Sequence, residues 1–552
     1  MTQATRNLSL TVSSPARPPA PAPAPTAESA TRIAAIDIGS NSIRMIIADV
    51  GANGAIRVVD EMKAAPRLGG GVERTGALSG PAMQNALSAL ARMAALAKQQ
   101  GCRRIEVVAT SAVREASNRQ EFLALVREET GLKIRVINGE DEARLSFRSA
   151  LAHFDLAAGR SVIMDIGGGS LELVLSADGL VDRFISLPFG AIRLTEEFLT
   201  DTNGLKGVRR LRKRVRREVT KQLSARHWGR ARIIASGGTF TNLASVHLAR
   251  QGMETTRTTH GTVVPRVDLE HIVDTLASMS PNERGLVPGL NKERADIIVA
   301  GLAVAAEVLA RLEARELVVS AYGIREGILL EAARVTPTVA DPGEARERSV
   351  KDLAERSHFE APHARHVQKL ALQMFDAIGA RLGCQPDERQ LLADAALLHD
   401  IGYHINYEKH HKHSYHLVQH AELLGMTPVE QIVVANVARY HRGAAPKRRH
   451  ENFAALDSTL RAKIVRLSAI LRVADGFDRG HAGAVESVRV RWTRRALRLT
   501  AIPNPKAVGI RLEVWGAARK SKLLSRVADA RIEIVAPDGK VVTYEDEDGK
   551  AD

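Results

Sequence analysis

Two stretches of this 552-residue chain repeat one pattern in register: Asp37-Ile38-Gly39-Ser40-Asn41-Ser42-Ile43-Arg44-Met45-Ile46-Ile47 and Asp165-Ile166-Gly167-Gly168-Gly169-Ser170-Leu171-Glu172-Leu173-Val174-Leu175. In each copy an apolar run (Ile33 to Ile36; Val162 to Met164) leads into the Asp, and a second apolar run follows the small residues. That pattern predicts a buried β-hairpin. Glycine at the tip has no Cβ and tolerates positive φ, so backbone N–H groups can close on an anion while Ser hydroxyls add donors. An Asp ending the first strand supplies hard oxygen for a divalent cation bridging to that anion. One such turn is as often an ordinary hairpin. Two copies in register point to two similar halves facing one phosphate.

The rest of the chain sets limits around this feature. Its length predicts three to four domains, and 45% hydrophobic residues suffice for several cores. No apolar run is long enough to cross a membrane, and residues 1–30, with Pro18-Pro19-Ala20-Pro21-Ala22-Pro23-Ala24-Pro25, read as a stiff, disordered Pro/Ala tail rather than a secretory signal. A cytoplasmic protein is expected. Cys102 and Cys384 are too few for a disulfide framework or a thiolate metal cluster, which leaves histidine and carboxylate as metal ligands. The net charge of +15 favours polyanions. Part of it lies in Lys206 to Arg217, where Leu211 and Val215 are spaced for a helix with a basic outer face, by default a solvated one. With only 4% aromatic residues and no stacking platform, a specific nucleic-acid partner is not expected, and neither is a membrane.

Strand-like and helix-like runs alternate over residues 31–150 and again over 151–335, which predicts two α/β domains with a cleft between them. After Thr336-Pro337-Thr338-Val339-Ala340-Asp341-Pro342-Gly343 the texture changes to amphipathic helices over 345–483, and residues 484–552 read as strand-rich, with Val488, Val490 and Trp492 and then Ile510, Leu512 and Val514 alternating. Hydrolysis at a phosphate held between two such loops would require neutralised charge, an aimed water and a base. Gly39, Ser40, Asn41 and Ser42 with Gly167, Gly168, Gly169 and Ser170 are the candidate phosphate cradle, Arg114 a candidate fork for phosphate oxygens, and Asp165 the candidate magnesium ligand with Glu172 close by and Asp37 assisting. Glu140, Asp141 and Glu142 open a helix, where acids are common for electrostatic reasons alone.

Both loops resemble the phosphate loops of the actin, hexokinase and sugar-kinase superfamily. Closer still, the chain resembles the exopolyphosphatase and guanosine pentaphosphate phosphohydrolase family over about residues 31 to 500, through Ala35 to Ser42, Thr110 to Asn118, Gly139 to Arg144, Asp165 to Glu172, Ser186-Leu187-Pro188-Phe189-Gly190, Ser236-Gly237-Gly238-Thr239 and Tyr322 to Gly327. The resemblance implies two actin-like (ribonuclease H-like) α/β domains around a cleft, then an all-α HD-type domain and a small C-terminal β-containing region. It also implies that Glu142 is the water-activating residue, with Arg114 and Glu172 beside it. Ser236 to Thr239 stands where related ATP-binding proteins hold the nucleotide.

Twelve of the eighteen histidines fall between His358 and His450. Leu391 to Gly402, with adjacent His399 and Asp400, resembles the HD phosphohydrolase signature. That resemblance implies a metal held by His363, His399, Asp400 and Asp475, with His413 and His441 as further ligands of a two-metal version. The implied cofactors are Mg2+ in the cleft and an additional divalent metal in the HD-type domain. The implied activity is metal-dependent removal of terminal phosphate from inorganic polyphosphate, with guanosine pentaphosphate as the alternative substrate, in a homodimer built through the helical domains. An ATP-using kinase and a non-catalytic guanosine polyphosphate sensor are the rival readings.

Overall fold

The computed structural model describes residues 31–51, 56–157, 159–199, 204–253, 259–335, 342–406, 408–421, 423, 425–494 and 496–544. The Pro/Ala tail and most of the expected boundary at 336–343 lie outside them. The first sheet contains β1 (Thr31–Ile38), β2 (Ile43–Val50), β3 (Ile56–Ala64), β4 (Arg104–Ala109) and β5 (Ile134–Val136), ordered β3-β2-β1-β4-β5. The second contains β6 (Arg160–Ile166), β7 (Leu171–Ala177), β8 (Leu180–Leu187), β9 (Arg232–Ser236), β10 (Val263–Pro265) and β11 (Glu316–Val319), ordered β10-β11-β9-β6-β7-β8. In both, an antiparallel three-strand meander is followed by parallel strands beside its first strand. The repeated sequence motif is therefore a repeated topology, and the architecture is mixed α/β with two actin-like halves.

Alternation along β1 explains why it is buried on both faces. Ala34, Ile36 and Ile38 join one core with Leu90 and Met93 of the helix Gly80–Gln99, while Ile33 and Ala35 join another with Leu145, Ile328 and Leu329. The helix Gly139–His153 packs through Ala143, Phe147 and Ala150 on Ile163, Val174 and Ile234 of the second sheet. The helix Ile324–Ala332 packs instead through Ile328 and Leu329 on the first. The two helices meet so closely that a Cβ on Gly327 would overlap the Leu145 carbonyl. Each half thus contributes a helix to the other, which ties the halves together around the cleft floor.

From Pro342 to Gly476 the described elements are helical. A third sheet follows, ordered β12 (Val485–Trp492), β13 (Ala496–Pro503), β14 (Arg531–Val535), β15 (Val541–Val542), with the last two joined by the expected turn at Ala536 to Lys540. One correction concerns Ile510, Leu512 and Val514, which the sequence pattern assigns to a strand. They stand at a helix, Arg511–Lys520: Ile510, Val514 and Ala518 are buried at a spacing of four while Leu512 is half exposed. That helix lies backbone to backbone on Ser458–Gly476, since a Cβ on Gly476 would come within 2.7 Å of Ala517 Cα. Helices and third sheet share one core, which also takes in Leu248 and Met253 from the second α/β half. Among the described residues no helix is long and apolar enough to cross a membrane.

Candidate active site

The tips of the two hairpins are closed in the same way, by Gly39 N–H donating to the Ser42 carbonyl at 3.1 Å and Gly167 N–H donating to the Ser170 carbonyl at 3.0 Å. They face each other. A Cβ on Gly168 would sit 2.7 Å from Ser40 Cβ, and one on Gly169 would overlap the Ser111 side chain. Only glycine allows the second loop this approach. Between them opens a cleft of about 870 Å³, open to solvent, lined by both loops, Asp37, Arg44, Glu142, Asp165, Gly237, Gly238, Arg294, Tyr322 and Arg325.

The internal repeat breaks at one informative place. In the first hairpin Asp37 pairs across the ladder with Arg44; in the second, Asp165 pairs with Glu172. One copy sets opposite charges side by side and the other sets two carboxylates. Burial drives the Glu172 carboxyl up to about 7 with Asp165 adding repulsion, while Ser170 and Ser186 oppose the rise. Ser186 Oγ donates to Glu172 Oε1 at 3.0 Å. Asp37 is pushed up to about 6 by burial, with Arg325 and Arg44 pulling it back. Asp165 is raised by burial too, and its Oδ2 accepts from Ser236 Oγ at 3.0 Å and Ser146 Oγ at 3.1 Å.

Glu142 enters from the helix Gly139–His153, which Asn138 caps by accepting from Asp141 N–H at 2.8 Å. Of the three acids in this first turn, Glu142 is the one lining the cleft, its side chain 12% exposed against 40% for Glu140. The helix start can approach the second sheet because Gly139 lies against Ser186, 2.7 Å from a would-be Cβ. Burial and the nearby Glu172 hold the Glu142 carboxyl well above its ordinary range, with Arg114 opposing. Arg114 itself does not line the cleft: Nη1 donates to the Ile137 carbonyl at 2.9 Å and to Glu142 Oε2 at 3.3 Å. It therefore holds Glu142 rather than facing open space for phosphate. Glu172 likewise stands behind the lining residues.

Oxygen-only donors suit a hard cation here, and Asp37 Oδ1 and Asn41 Oδ1 are buried without a hydrogen-bond partner. Arg44 and Arg294 face the cleft with no side-chain hydrogen bond or ion pair among the described residues. Burial lowers both, with Arg325 adding repulsion at Arg44 and Arg44 adding it at Arg294, which falls to about 10. Two unpaired guanidinium groups at one opening call for an anion. Arg294 carries no sequence signal, since it sits in the loop-like run Asn291 to Arg294. Ser146 carries one: it lies four residues after Glu142, on the same helix face. Ser236, Gly237 and Gly238 belong to the cleft as well. Gly237, at φ 95°, lies 2.7 Å (from a would-be Cβ) from Asp165 Oδ1, and the Arg294 guanidinium lies on Gly238.

In the helical region the structure brings together His363, His399, Asp400, His441 and Asp475. Nε2 of His363 lies 3.7 Å from Asp400 Oδ2 and 3.8 Å from Asp475 Oδ1, and His441 Nε2 lies 3.2 Å from Asp400 Oδ1. His413 does not join them. The further ligand position is taken by buried His410, whose Nε2 is 3.1 Å from Asp400 Oδ1 at the start of the helix His410–His420. His413, most of a turn later, packs by its Cβ toward Gly402 instead.

Against known proteins, the Ppx/GppA phosphatase family matches residues 46–335, and Ppx/GppA phosphatase domain III matches 345–502. The first match alone spans more than half of the chain. It belongs to the Ppx/GppA phosphatase family. Among solved structures, an exopolyphosphatase from Cytophaga hutchinsonii is 24% identical over 56% of this phosphatase and all of that chain, with a TM-score of 0.52. An exopolyphosphatase-like protein is 29% identical over 55% of this phosphatase and 98% of that chain, with a TM-score of 0.50. The Aquifex aeolicus family member is 30% identical over 55% of this phosphatase and 98% of that chain, with a TM-score of 0.48. These chains match little more than half of this one.

Proposed function

We propose that this phosphatase is a magnesium-dependent exopolyphosphatase that releases orthophosphate from the end of inorganic polyphosphate. The observation that carries the reading is Glu142: a buried carboxylate, high in pKa, gripped by Arg114 and aimed into a cleft whose two walls are glycine loops. A buried carboxylate whose proton affinity is raised suits the base that in-line attack by water requires. Asp37 and Asp165 would hold Mg2+, which supplies charge neutralisation to the phosphates. Glu142 accepts the proton of the attacking water, and Arg114 keeps its carboxylate in place. Backbone N–H groups of Gly39 to Ser42 and Gly167 to Ser170 hold the terminal phosphate, while Arg44 and Arg294 take the phosphates behind it. Glu172, close to the Asp165 and Glu142 charges, is placed to share the proton.

Polyphosphate is preferred because the recognisable groups at the opening are guanidinium groups and the whole chain is basic. The name of the Cytophaga structure agrees. An ATP-using kinase is disfavoured because the Arg294 guanidinium covers Gly238, where such a protein would hold its nucleotide. The test is phosphate release from polyphosphate, guanosine pentaphosphate and ATP side by side with Mg2+. Polyphosphate is expected to have the highest kcat/KM. A higher value for guanosine pentaphosphate would reassign the substrate, and phosphate transfer from ATP to an acceptor would overturn hydrolysis.

A further inference from the structure

We propose that the helix Gly204–Gln222 carries a polyanion site outside the cleft: a cationic stripe that holds the part of a polyphosphate chain beyond the reach of the cleft, an occupant that rests on the polyphosphate reading above. Val208, Leu211, Val215 and Val219 of this helix are buried in the core of the second half. On the opposite side Lys206, Arg210, Lys213, Arg217 and Lys221 stand exposed. Their spacing of four, three, four and four residues keeps them on one face of a helix with 3.6 residues per turn, in a line of about 22 Å at 1.5 Å per residue.

Electrostatics within the helix runs against this composition. Between Lys206 and Lys221 nine Lys and Arg stand against one acid, Glu218. A solvated helix face ordinarily interleaves charges of opposite sign, and like charges four residues apart repel. Lys206 with Arg210, Lys213 with Arg217, and Arg217 with Lys221 are such pairs. The first turn holds no acid, although the helix dipole favours acids there and disfavours Lys206. Tertiary structure relieves only the inner side of the helix. Arg212 ion-pairs with Glu270 at 2.8 Å and Glu307 at 2.6 Å, and Arg216 with Glu307 at 2.7 Å. The five stripe residues make no side-chain hydrogen bond or ion pair among the described residues. An anion laid along them removes the repulsion that the fold leaves in place.

The stripe suits an unbroken chain of phosphates. Guanidinium and ammonium groups both bind phosphate oxygens, and single charges in a row match a polymer charged at every unit. The helix has no aromatic residue on which a base could stack, which disfavours nucleic acid. Leu205 is its one exposed large apolar side chain, too little to insert into a membrane. The helix also lies beside the cleft wall. Arg214 stands 5.6 Å from the Phe189 ring, and the neighbouring Gly190 lies against the backbone of Gly168 and Gly169. Gly207 lies against the Phe198 carbonyl, at the end of the helix Ala191–Phe198 that Gly190 opens. A chain with its end in the cleft thus has the stripe one helix away. Holding distant phosphates leaves the attacked bond untouched, so long chains gain affinity and short ones do not.

The test measures binding to the full-length protein without added Mg2+, with long-chain polyphosphate and tripolyphosphate titrated separately at several salt concentrations. One variant combines Arg210→Gln, Lys213→Gln, Arg217→Gln and Lys221→Gln. A second removes four exposed cations from distant elements, by Arg127→Gln, Lys133→Gln, Arg491→Gln and Arg531→Gln. The stripe variant is expected to bind the long chain about tenfold more weakly or worse, with a shallower salt dependence, and tripolyphosphate like wild type. The scattered variant is expected to stay within about twofold of wild type for both ligands. Lys213→Gln with Arg217→Gln, expected to lose about threefold for the long chain alone, keeps the test valid if the fourfold stripe variant fails to fold. Wild-type binding of the long chain by the stripe variants, an equal loss in the scattered variant, or an equal loss of tripolyphosphate would each overturn the proposal. So would stripe-dependent binding of single-stranded DNA or of phosphatidylglycerol vesicles with none for polyphosphate, which would give the face to a nucleic acid or a membrane. Phosphate release from polyphosphate by a protein whose binding ignores the stripe would sink this site and leave the cleft reading standing. Stripe-dependent binding without release would do the reverse.

Discussion

At the residue scale, the chemistry proposed for the cleft rests on carboxyl groups whose proton affinity the fold has raised. If Glu142 aligns and deprotonates water, Glu142→Gln keeps polyphosphate binding and slows release by about two to four orders of magnitude; near-normal turnover in a steady-state assay would remove the residue from that role. Stability carries an independent signature. Asp37 and Glu172 are raised to about 6 and about 7 in the folded protein, so the stability they contribute is whole below their unfolded values of about 4. It is lost as pH rises through 6 to 7, where the fold must hold them ionised. Relative to Asp37→Asn with Glu172→Gln, the metal-free wild type is therefore expected to lose more melting temperature between pH 5 and pH 8, and Mg2+ should raise its melting temperature more at pH 8. A melting curve insensitive to both would contradict the clustering of these carboxylates. Asp165 was legible from its motif, whereas Arg294 was not, because nothing in Asn291 to Arg294 announces that the chain folds it onto Gly238.

At the element scale, the two hairpins are set by local patterning, but their approach depends on a third segment. A Cβ on Gly190 would overlap the backbone of Gly168 and Gly169, so this glycine is the seat of the second glycine loop. Gly190→Ala is expected to displace that loop, costing about 1–3 kcal/mol of stability and lowering phosphate release at least tenfold. Paired thermal melts and rate measurements check this; wild-type activity would show that the loop has room to spare. The strand reading of Ile510 to Val514 failed for an instructive reason. Over five residues, alternation and a spacing of four both place Ile510 and Val514 together, and only the exposure of Leu512 tells them apart. The exchange of Gly139–His153 and Ile324–Ala332 between sheets was illegible as well, since an apolar helix face does not say which sheet it will cover.

At the scale of the whole molecule, cleft and helical region are joined through a shared core rather than a shared site. Leu248 and Met253, from and just after the helix that begins at Gly238 beside Asp165, are buried with the helical residues, so cutting the chain near 335 would leave them in water. Substitution is the cleaner separation. His399→Ala with Asp400→Ala is expected to leave phosphate release from polyphosphate within about twofold of wild type, because the cleft residues lie on other elements. Loss of release in a folded double variant, with Glu142→Gln unharmed, would move the active centre to the helical region. Across the cleft itself, Lys63 pairs with Glu293, Arg67 with Asp296, and Arg193 with Glu73 and Glu115. Exposed pairs of this kind are each worth about 0–1 kcal/mol, so they add little to the hold of the exchanged helices Gly139–His153 and Ile324–Ala332. The sequence by itself determined the two glycine hairpins, the α/β halves and most of both residue clusters, because periodicity and tip chemistry are local properties. Only the tertiary structure decided that Arg114 grips Glu142, that Arg294 guards the opening, that His410 replaces His413 and that Lys520 reaches Asp475, because these depend on where distant segments come to rest.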